Sequence, residues 1–214
     1  MHSVHVCAHM ENPLLTEALQ RLIVQTSLPL KSIETTFAVD STGFSTARFV
    51  RWFDEKYGME RSGHDWVKVH AITGVKTNVV TAVEIAGRYA NDCPHFKPLV
   101  QRTAEHFSIK DVCGDMQYLS RENLELVEKM GGTAFVPFKV TSVAGEAGTT
   151  WEKMFLLYQL RREEFLGRYH QRSNVESTFS MVKAKFGDSN RSRTDVARAN
   201  ECLAKFLCHN VVVV

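Results

Sequence analysis

The sequence predicts an α/β protein in which helices cover a mixed β-sheet. After a first helical segment, five short segments of strand character follow in the order strand, strand, strand, helix, strand, helix, strand, and more helices end the chain. A short turn joins the second and third strands into an antiparallel hairpin, whereas the later strands are separated by helices, which suit parallel crossovers. With 214 residues, 44% of them hydrophobic, the chain can bury a core and is most simply one domain.

The first half of the chain begins with a helix and then supplies the three strands. Asn12 and Pro13 form a helix start, and the apolar spacing after them predicts a helix that ends near Ser27. Runs of β-branched and aromatic residues bounded by polar or glycine turns predict strands at 35–41, 66–73 and 79–85. We expect the polar and aromatic residues 44–65 to form a long excursion or a partly extended segment.

The second half alternates helices with the last two strands. Caps at Asn91-Asp92, Ser120 and Thr194, followed by apolar periodicity, predict helices at 92–106, 120–130 and 194–207. Two further helices are predicted at 151–166 and 169–186. The two strands between them are predicted at 109–114 and 133–138. A glycine-containing stretch of small residues at 141–150 is expected to be a flexible loop.

The predicted helix 169–186, with the sequence YHQRSNVESTFSMVKAKF, carries two stripes. Its apolar stripe has the spacing i, i+4, i+7 and i+11, at Val175, Phe179, Val182 and Phe186. If the helix reaches back to residue 169, three polar side chains share an arc of about 60° with Glu176: Tyr169, Arg172 and Lys183. A solvated rim with an Arg–Glu pair four residues apart would give the same pattern.

Charge, cysteine spacing and hydropathy limit the kinds of partner and site that the chain can have. Residues 161–193 hold eight Lys or Arg against four Asp or Glu, whereas the whole chain has a net charge of only +2. This region could bind phosphate, and an ordinary solvated helical surface would look the same. The five cysteines are odd in number and form no CxxC, which argues against a disulfide framework or a zinc module and suits a reducing compartment. No apolar run approaches 18 residues, so no membrane span is predicted.

Three carboxylates form the candidate catalytic site. Asp40 ends the first predicted strand and Asp115 follows the fourth, and the carboxyl ends of strands are where ligands collect in such sheets. If those strands are neighbours, both side chains enter one crevice, and Glu176 can add a third oxygen donor. Oxygen donors of this kind suit Mg²⁺ or Mn²⁺, two of which can clamp the attacking and leaving oxygens of a phosphoryl displacement. Taken singly, an aspartate at a strand end is commonly a turn residue.

Three stretches carry a resemblance to a known family. AVDSTGFS around Asp40, the strand ending GD at Asp115, and YHQRSNVESTFSMVKAKFG resemble the catalytic domain of bacterial and archaeal insertion-sequence transposases of the DDE type. One subgroup carries a Tyr-Arg-Glu-Lys signature with two, three and six residues between its members, and Tyr169, Arg172, Glu176 and Lys183 match that spacing. The resemblance spans about residues 35–210. It implies a ribonuclease-H-like fold, with an N-terminal tail and helix at 1–34 and a catalytic domain at 35–214.

The resemblance also implies a function. It makes Asp40, Asp115 and Glu176 the metal-binding catalytic acids, with Mg²⁺ as the cofactor and Mn²⁺ as a possible substitute. It places three further side chains against the phosphates of transposon-end DNA: Tyr169, Arg172 and Lys183. The implied reaction is metal-dependent cleavage at transposon ends followed by strand transfer into target DNA. The implied partners are double-stranded DNA and a second copy of the chain in a synaptic complex, in the cytoplasm of a prokaryote, at the nucleoid.

Two alternatives remain at this level. A plain nuclease on the same fold would cut DNA without strand transfer. An inactive DNA-binding remnant or regulator of a fuller transposase is the other, suggested by Met116-Gln117 after Asp115 and by the short stretch before the first strand.

Overall fold

The computed structural model describes residues 9–46 and 66–214, and a five-stranded sheet lies at its centre. The strands are β1 (Thr36–Ser45), β2 (Trp66–Gly74), β3 (Val80–Ala86), β4 (Asp111–Gly114) and β5 (Thr133–Phe135). Their order across the sheet is β3-β2-β1-β4-β5. The β1–β2 and β2–β3 pairs are antiparallel, whereas β1–β4 and β4–β5 are parallel. The predicted α/β mixed five-stranded sheet is confirmed, and its arrangement is consistent with a ribonuclease-H-like fold.

Helices flank the sheet, and most of them begin at the predicted caps. They are α1 (Pro13–Ser27), α2 (Cys93–Ala104), α3 (Arg121–Lys129), α4 (Thr150–Leu160), α5 (Arg162–Tyr169), α6 (Ser173–Phe186) and α7 (Asp195–Val213). The side chains of Asn12, Ser120 and Thr194 each accept a backbone N–H from the first turn of their helix. At α2 the Asp92 side chain makes no such bond and pairs with Lys68 instead.

Within the described residues, no helix is long and apolar enough to cross a membrane.

Two hydrophobic cores lie on opposite faces of the sheet because side chains alternate along each strand. Phe37 and Val39 of β1 face one core, to which α2, α3 and α5 contribute apolar side chains. Ala38 and Phe44 face the other core, which is built with α1, α6 and α7. The predicted apolar stripe of α6 fills this second core. Asp40 therefore lies on the face of β1 that is turned toward α6.

Three predicted boundaries in the sheet were wrong because partner strands decide where a strand ends. β1 continues to Ser45 because β2 pairs with it as far as Trp66. Positions 44 and 45 of the predicted excursion therefore belong to β1, and positions 47–65 lie outside the described residues. β5 ends at Phe135 because β4 offers it only three partners. β4 itself begins at residue 111, where its pairing with β1 starts.

The two predicted helices 151–166 and 169–186 are broken at different places. The backbone of Arg161 leaves the helical region, with φ −126° and ψ 52°, so α4 ends there and α5 begins. This turn lets Phe165 pack against Phe135 in the core, with ring centroids 5.5 Å apart. A 3₁₀ turn at His170–Arg172, packed against β1 and β4, then separates α5 from α6. Because of this turn, Tyr169 and Glu176 do not share one continuous α-helix.

Two glycines in this region should respond oppositely to replacement by alanine. Gly187, the residue after α6, has φ 86° and ψ 150°, a conformation open almost only to glycine. Gly187→Ala should therefore lower the free energy of unfolding by about 1–2 kcal/mol. Gly167 lies within α5, where an added Cβ meets no atom within 4 Å. Gly167→Ala should raise stability by about 0.5–1 kcal/mol. Urea unfolding of both variants measures the contrast, and equal effects would contradict the assigned backbone conformations.

Candidate active site

The parallel pairing of β1 with β4 places Asp40 and Asp115 side by side. The last paired residues are Val39 and Gly114, and each aspartate is the next residue on its chain segment. Asp40 lies in the middle of β1 and not at its end, because β2 continues the pairing to Ser45 after β4 has stopped. Both aspartates thus lie where the parallel partner ends, an edge at which α/β sheets bind ligands.

Arg172 joins Asp40 to Glu176. Its Nη1 donates to Oδ2 of Asp40 at 2.6 Å, and its Nη2 donates to Oε1 of Glu176 at 2.7 Å. The 3₁₀ turn that ends at Arg172 brings its side chain over β1, and Glu176 lies in the first turn of α6. The Tyr169 ring lies beneath the same guanidinium, 5.9 Å from its centre. Four of the six predicted site residues therefore meet around Arg172.

Burial controls the charges of the two aspartates. Burial raises the pKa of Asp40 to about 6, although Arg172 and the backbone N–H of Ser41 both favour the ionised form. Burial also raises the pKa of Asp115, even though its Oδ1 accepts the N–H of Gln117 at 2.8 Å. Burial lowers the pKa of Arg172, but the surrounding Asp40, Tyr169 and Glu176 raise it by more, so the guanidinium keeps its charge. The site is therefore a partly buried cluster of acids around one arginine.

The remaining predicted residues lie at different distances from this cluster. Asp115 influences the pKa of both Asp40 and Arg172, but its hydrogen bond goes to its own turn. Lys183 lies two turns farther along α6, with its ammonium 5.4 Å from the centre of the Phe44 ring. In residues 9–46 and 66–214, no group of three or more His, Cys, Asp or Glu side chains is arranged to hold a metal ion. Asp40 and Glu176 are connected through the guanidinium instead.

A second polar cluster lies behind the aspartates, and none of its members was among the predicted site residues. Lys68 and His70 share one face of β2, Asp92 precedes α2, and Tyr118 ends the 3₁₀ turn after Asp115. Lys68 pairs with Asp92, and Nδ1 of His70 lies 3.1 Å from the Tyr118 hydroxyl. Two polar side chains on the same face of a central strand are a signal that could have identified the pair on β2.

Comparison with known proteins identifies the family. A family model described as the transposase DDE domain matches residues 31–211, which is most of the chain. No curated protein and no solved structure matches the chain. The predicted resemblance to DDE transposases is confirmed by the family model, whereas the Tyr-Arg-Glu-Lys subgroup stays a prediction. The chain belongs to the transposase DDE domain family.

Proposed function

We propose that this protein is a DNA transposase that cleaves DNA at transposon ends and joins the freed ends to target DNA. Family membership supports transposition as the process and DNA as the substrate. The observation that carries the finer proposal is the grouping of acids at the end of β4, where Asp40 adjoins Asp115 and shares Arg172 with Glu176. Acids grouped at a sheet edge suit phosphoryl transfer, in which positioning and charge supply most of the catalysis.

We infer that the three acids hold a divalent metal, which transposases of this family generally use, once the Arg172 guanidinium leaves its place between Asp40 and Glu176. The carboxylate of Asp40 is largely buried and its pKa is raised to about 6, so a nearby cation would offset the unfavourable burial of its charge. Asp40, Asp115 and Glu176 would hold Mg²⁺ or Mn²⁺ through hard oxygen donors. When bound, the metal supplies the positive charge that activates the attacking oxygen and stabilises the leaving oxygen.

The cationic side chains would bind the DNA backbone. The guanidinium of Arg172 already spans two carboxylates with two separate N–H groups, and the same fork fits a phosphate. Lys183 would add a point charge, and Tyr169 a ring that stacks or a hydroxyl that donates. We also propose that two copies of the chain pair the two ends of the element, at the nucleoid of a prokaryotic cell.

The test is a cleavage and joining assay on DNA that carries the sequences flanking this coding region in its genome. Nicked ends together with covalently joined products, both dependent on Mg²⁺ or Mn²⁺, are the expected result. Cleavage without joined products would identify a plain nuclease. Binding of end DNA without cleavage in either metal would identify an inactive regulator. Glu176→Gln is expected to abolish cleavage, and retention of near-wild-type cleavage would remove Glu176 from the site.

The role of Lys183 can be measured through the salt dependence of DNA binding. Lys183→Gln should weaken binding to all DNA sequences and reduce the slope of log K against log salt by about 0.9, the value for one lost phosphate contact. Lys153→Gln is the matched control, because Lys153 is 62% exposed and pairs with Glu128 on α3. An unchanged slope for Lys183→Gln would show that Lys183 does not contact a phosphate.

A further inference from the structure

Tyr118 ends the short turn that carries Asp115. The side chain of Asp115 caps this turn through the N–H of Gln117, and its carbonyl accepts the N–H of Tyr118 at 3.1 Å. The Tyr118 carbonyl accepts from Asn123 Nδ2 at 2.9 Å. A Cβ added at Gly114 would lie 3.4 Å from the Tyr118 ring, which shows how closely this ring packs under the end of β4. The position of Asp115 therefore depends on where Tyr118 is held.

The hydroxyl of Tyr118 reaches from the turn after β4 to β2. It lies 3.1 Å from Nδ1 of His70, the β2 residue that pairs with Ser41 of β1. The backbone N–H of Ser41 in turn donates to Oδ1 of Asp40 at 2.8 Å. One buried hydroxyl thus ties the turn that carries Asp115 to the pair of strands that carries Asp40.

The partner of this hydroxyl, His70, is itself held in place. The His70 ring is fully buried and stacks on His95, with centroids 4.1 Å apart. Its Nδ1 lies 3.7 Å from Asp92, which pairs with Lys68. Burial, together with His95 and Lys68, lowers the pKa of His70 to about 3, so the ring is neutral near pH 7 and its Nδ1 can accept a hydrogen bond.

The same burial keeps the proton on the phenol. Burial raises the pKa of Tyr118 well above its usual range, and the carboxylates of Asp40, Asp92 and Asp115 raise it further. The Tyr118 hydroxyl therefore keeps its proton over the physiological pH range and can donate it to His70. A bond of this kind, between uncharged groups inside the protein, is suited to fixing geometry.

We propose that Tyr118 is a positioning residue whose hydroxyl fixes the separation of Asp40 and Asp115 and thereby sets the metal affinity of the site. The inference rests on the proposed function, in which these two aspartates hold the metal. It assigns to Tyr118 and His70 a task that neither touches DNA nor binds the ion. Groups behind metal ligands commonly contribute about 10–100-fold to metal affinity by orienting those ligands.

The experiment is a titration of the purified full chain with Mn²⁺, with free Mn²⁺ followed by electron paramagnetic resonance. Tyr118→Phe keeps the buried ring and removes only the hydroxyl, and it should raise the Kd for Mn²⁺ about tenfold.

Thr103→Val is the matched control. It removes another buried hydroxyl pair, in which Thr103 lies 2.8 Å from Thr81 between α2 and β3, and it should leave the Mn²⁺ Kd unchanged. An unchanged Kd for Tyr118→Phe, with Asp115→Asn abolishing binding, would overturn the inference and leave the proposed function intact. An equal rise in Kd for Thr103→Val would also overturn it, because a non-specific loss of rigidity would then explain the effect. Wild-type binding by both Asp40→Asn and Asp115→Asn would overturn the proposed function itself.

Discussion

Asp40→Asn is expected to abolish metal-dependent cleavage and to stabilise the fold at the same time. The amide keeps the size of the side chain but lacks the charge that a divalent ion requires. Loss of a group that merely orients a metal ligand costs up to about a hundredfold in activity, so loss of a ligand itself should lower cleavage by at least that factor. Asp195→Asn removes a carboxylate that is 99% exposed and should leave cleavage unchanged. Near-wild-type cleavage by Asp40→Asn would contradict the assignment of Asp40.

The gain in stability follows from the raised pKa of Asp40. Because its pKa is about 6 in the folded protein against an ordinary value of 3.8, ionisation of Asp40 opposes folding. Protonated Asp40 therefore contributes to the free energy of unfolding. That contribution is complete below about pH 4 and is lost as the pH rises through about 6. Asparagine is neutral throughout, so Asp40→Asn should be more stable than wild type by about 2–3 kcal/mol at pH 8 and equal to it near pH 4. Urea unfolding at the two pH values measures both differences, and a loss of stability at pH 8 would contradict this account.

Arg172→Gln should have the opposite effect on the fold. The Arg172 side chain is 20% exposed and that of Asp40 is 14% exposed, so this ion pair is largely shielded from water. Removal of the guanidinium leaves the Asp40 carboxylate buried without a cation, and such a loss destabilises a protein by about 3 kcal/mol. Thermal unfolding at pH 8 should show a correspondingly lower Tm. Below the raised pKa of Asp40, protonation removes the buried charge, so the loss should shrink at pH 5.

Mn²⁺ should rescue Arg172→Gln, since a cation at the acids replaces the missing charge. The rise in Tm on adding Mn²⁺ should therefore be larger for this variant than for wild type. Arg168→Gln is the matched control, because Arg168 donates to Asp111 at 3.2 Å at the start of β4, away from the acids. The rise in Tm on adding Mn²⁺ should be the same for Arg168→Gln as for wild type. Equal responses of the two variants to Mn²⁺ would show that Arg172 does not occupy the position of the metal.

The sequence was informative where a signal is local. Runs of β-branched and aromatic residues identified the five strands of the described sheet, and helical period identified the apolar stripe of α6, because these patterns depend on residues a few positions apart. The caps at Asn12, Ser120 and Thr194 were predictable for the same reason. The side-by-side position of Asp40 and Asp115 required only that β1 and β4 be neighbours, a condition that the sequence left open and that the strand order fulfils.

Features that depend on distant partners could not be predicted in this way. The 3₁₀ turn at His170–Arg172 forms where the chain packs on β1 and β4, and a wheel drawn on one continuous helix cannot show it. The contact of Arg172 with Asp40 joins residues 132 positions apart. The contact of Tyr118 with His70 depends on how β2 and the turn after β4 come together across β1, and no local pattern predicts that turn.

A crystal structure of the protein soaked with Mn²⁺, with its anomalous scattering recorded, tests the central claim most directly. The account predicts an Mn²⁺ peak about 2.0–2.6 Å from carboxylate oxygens of both Asp40 and Asp115, with the Arg172 guanidinium displaced from Asp40. A saturated crystal without Mn²⁺ between the two aspartates, in which Arg172 still bridges Asp40 and Glu176, would contradict the account.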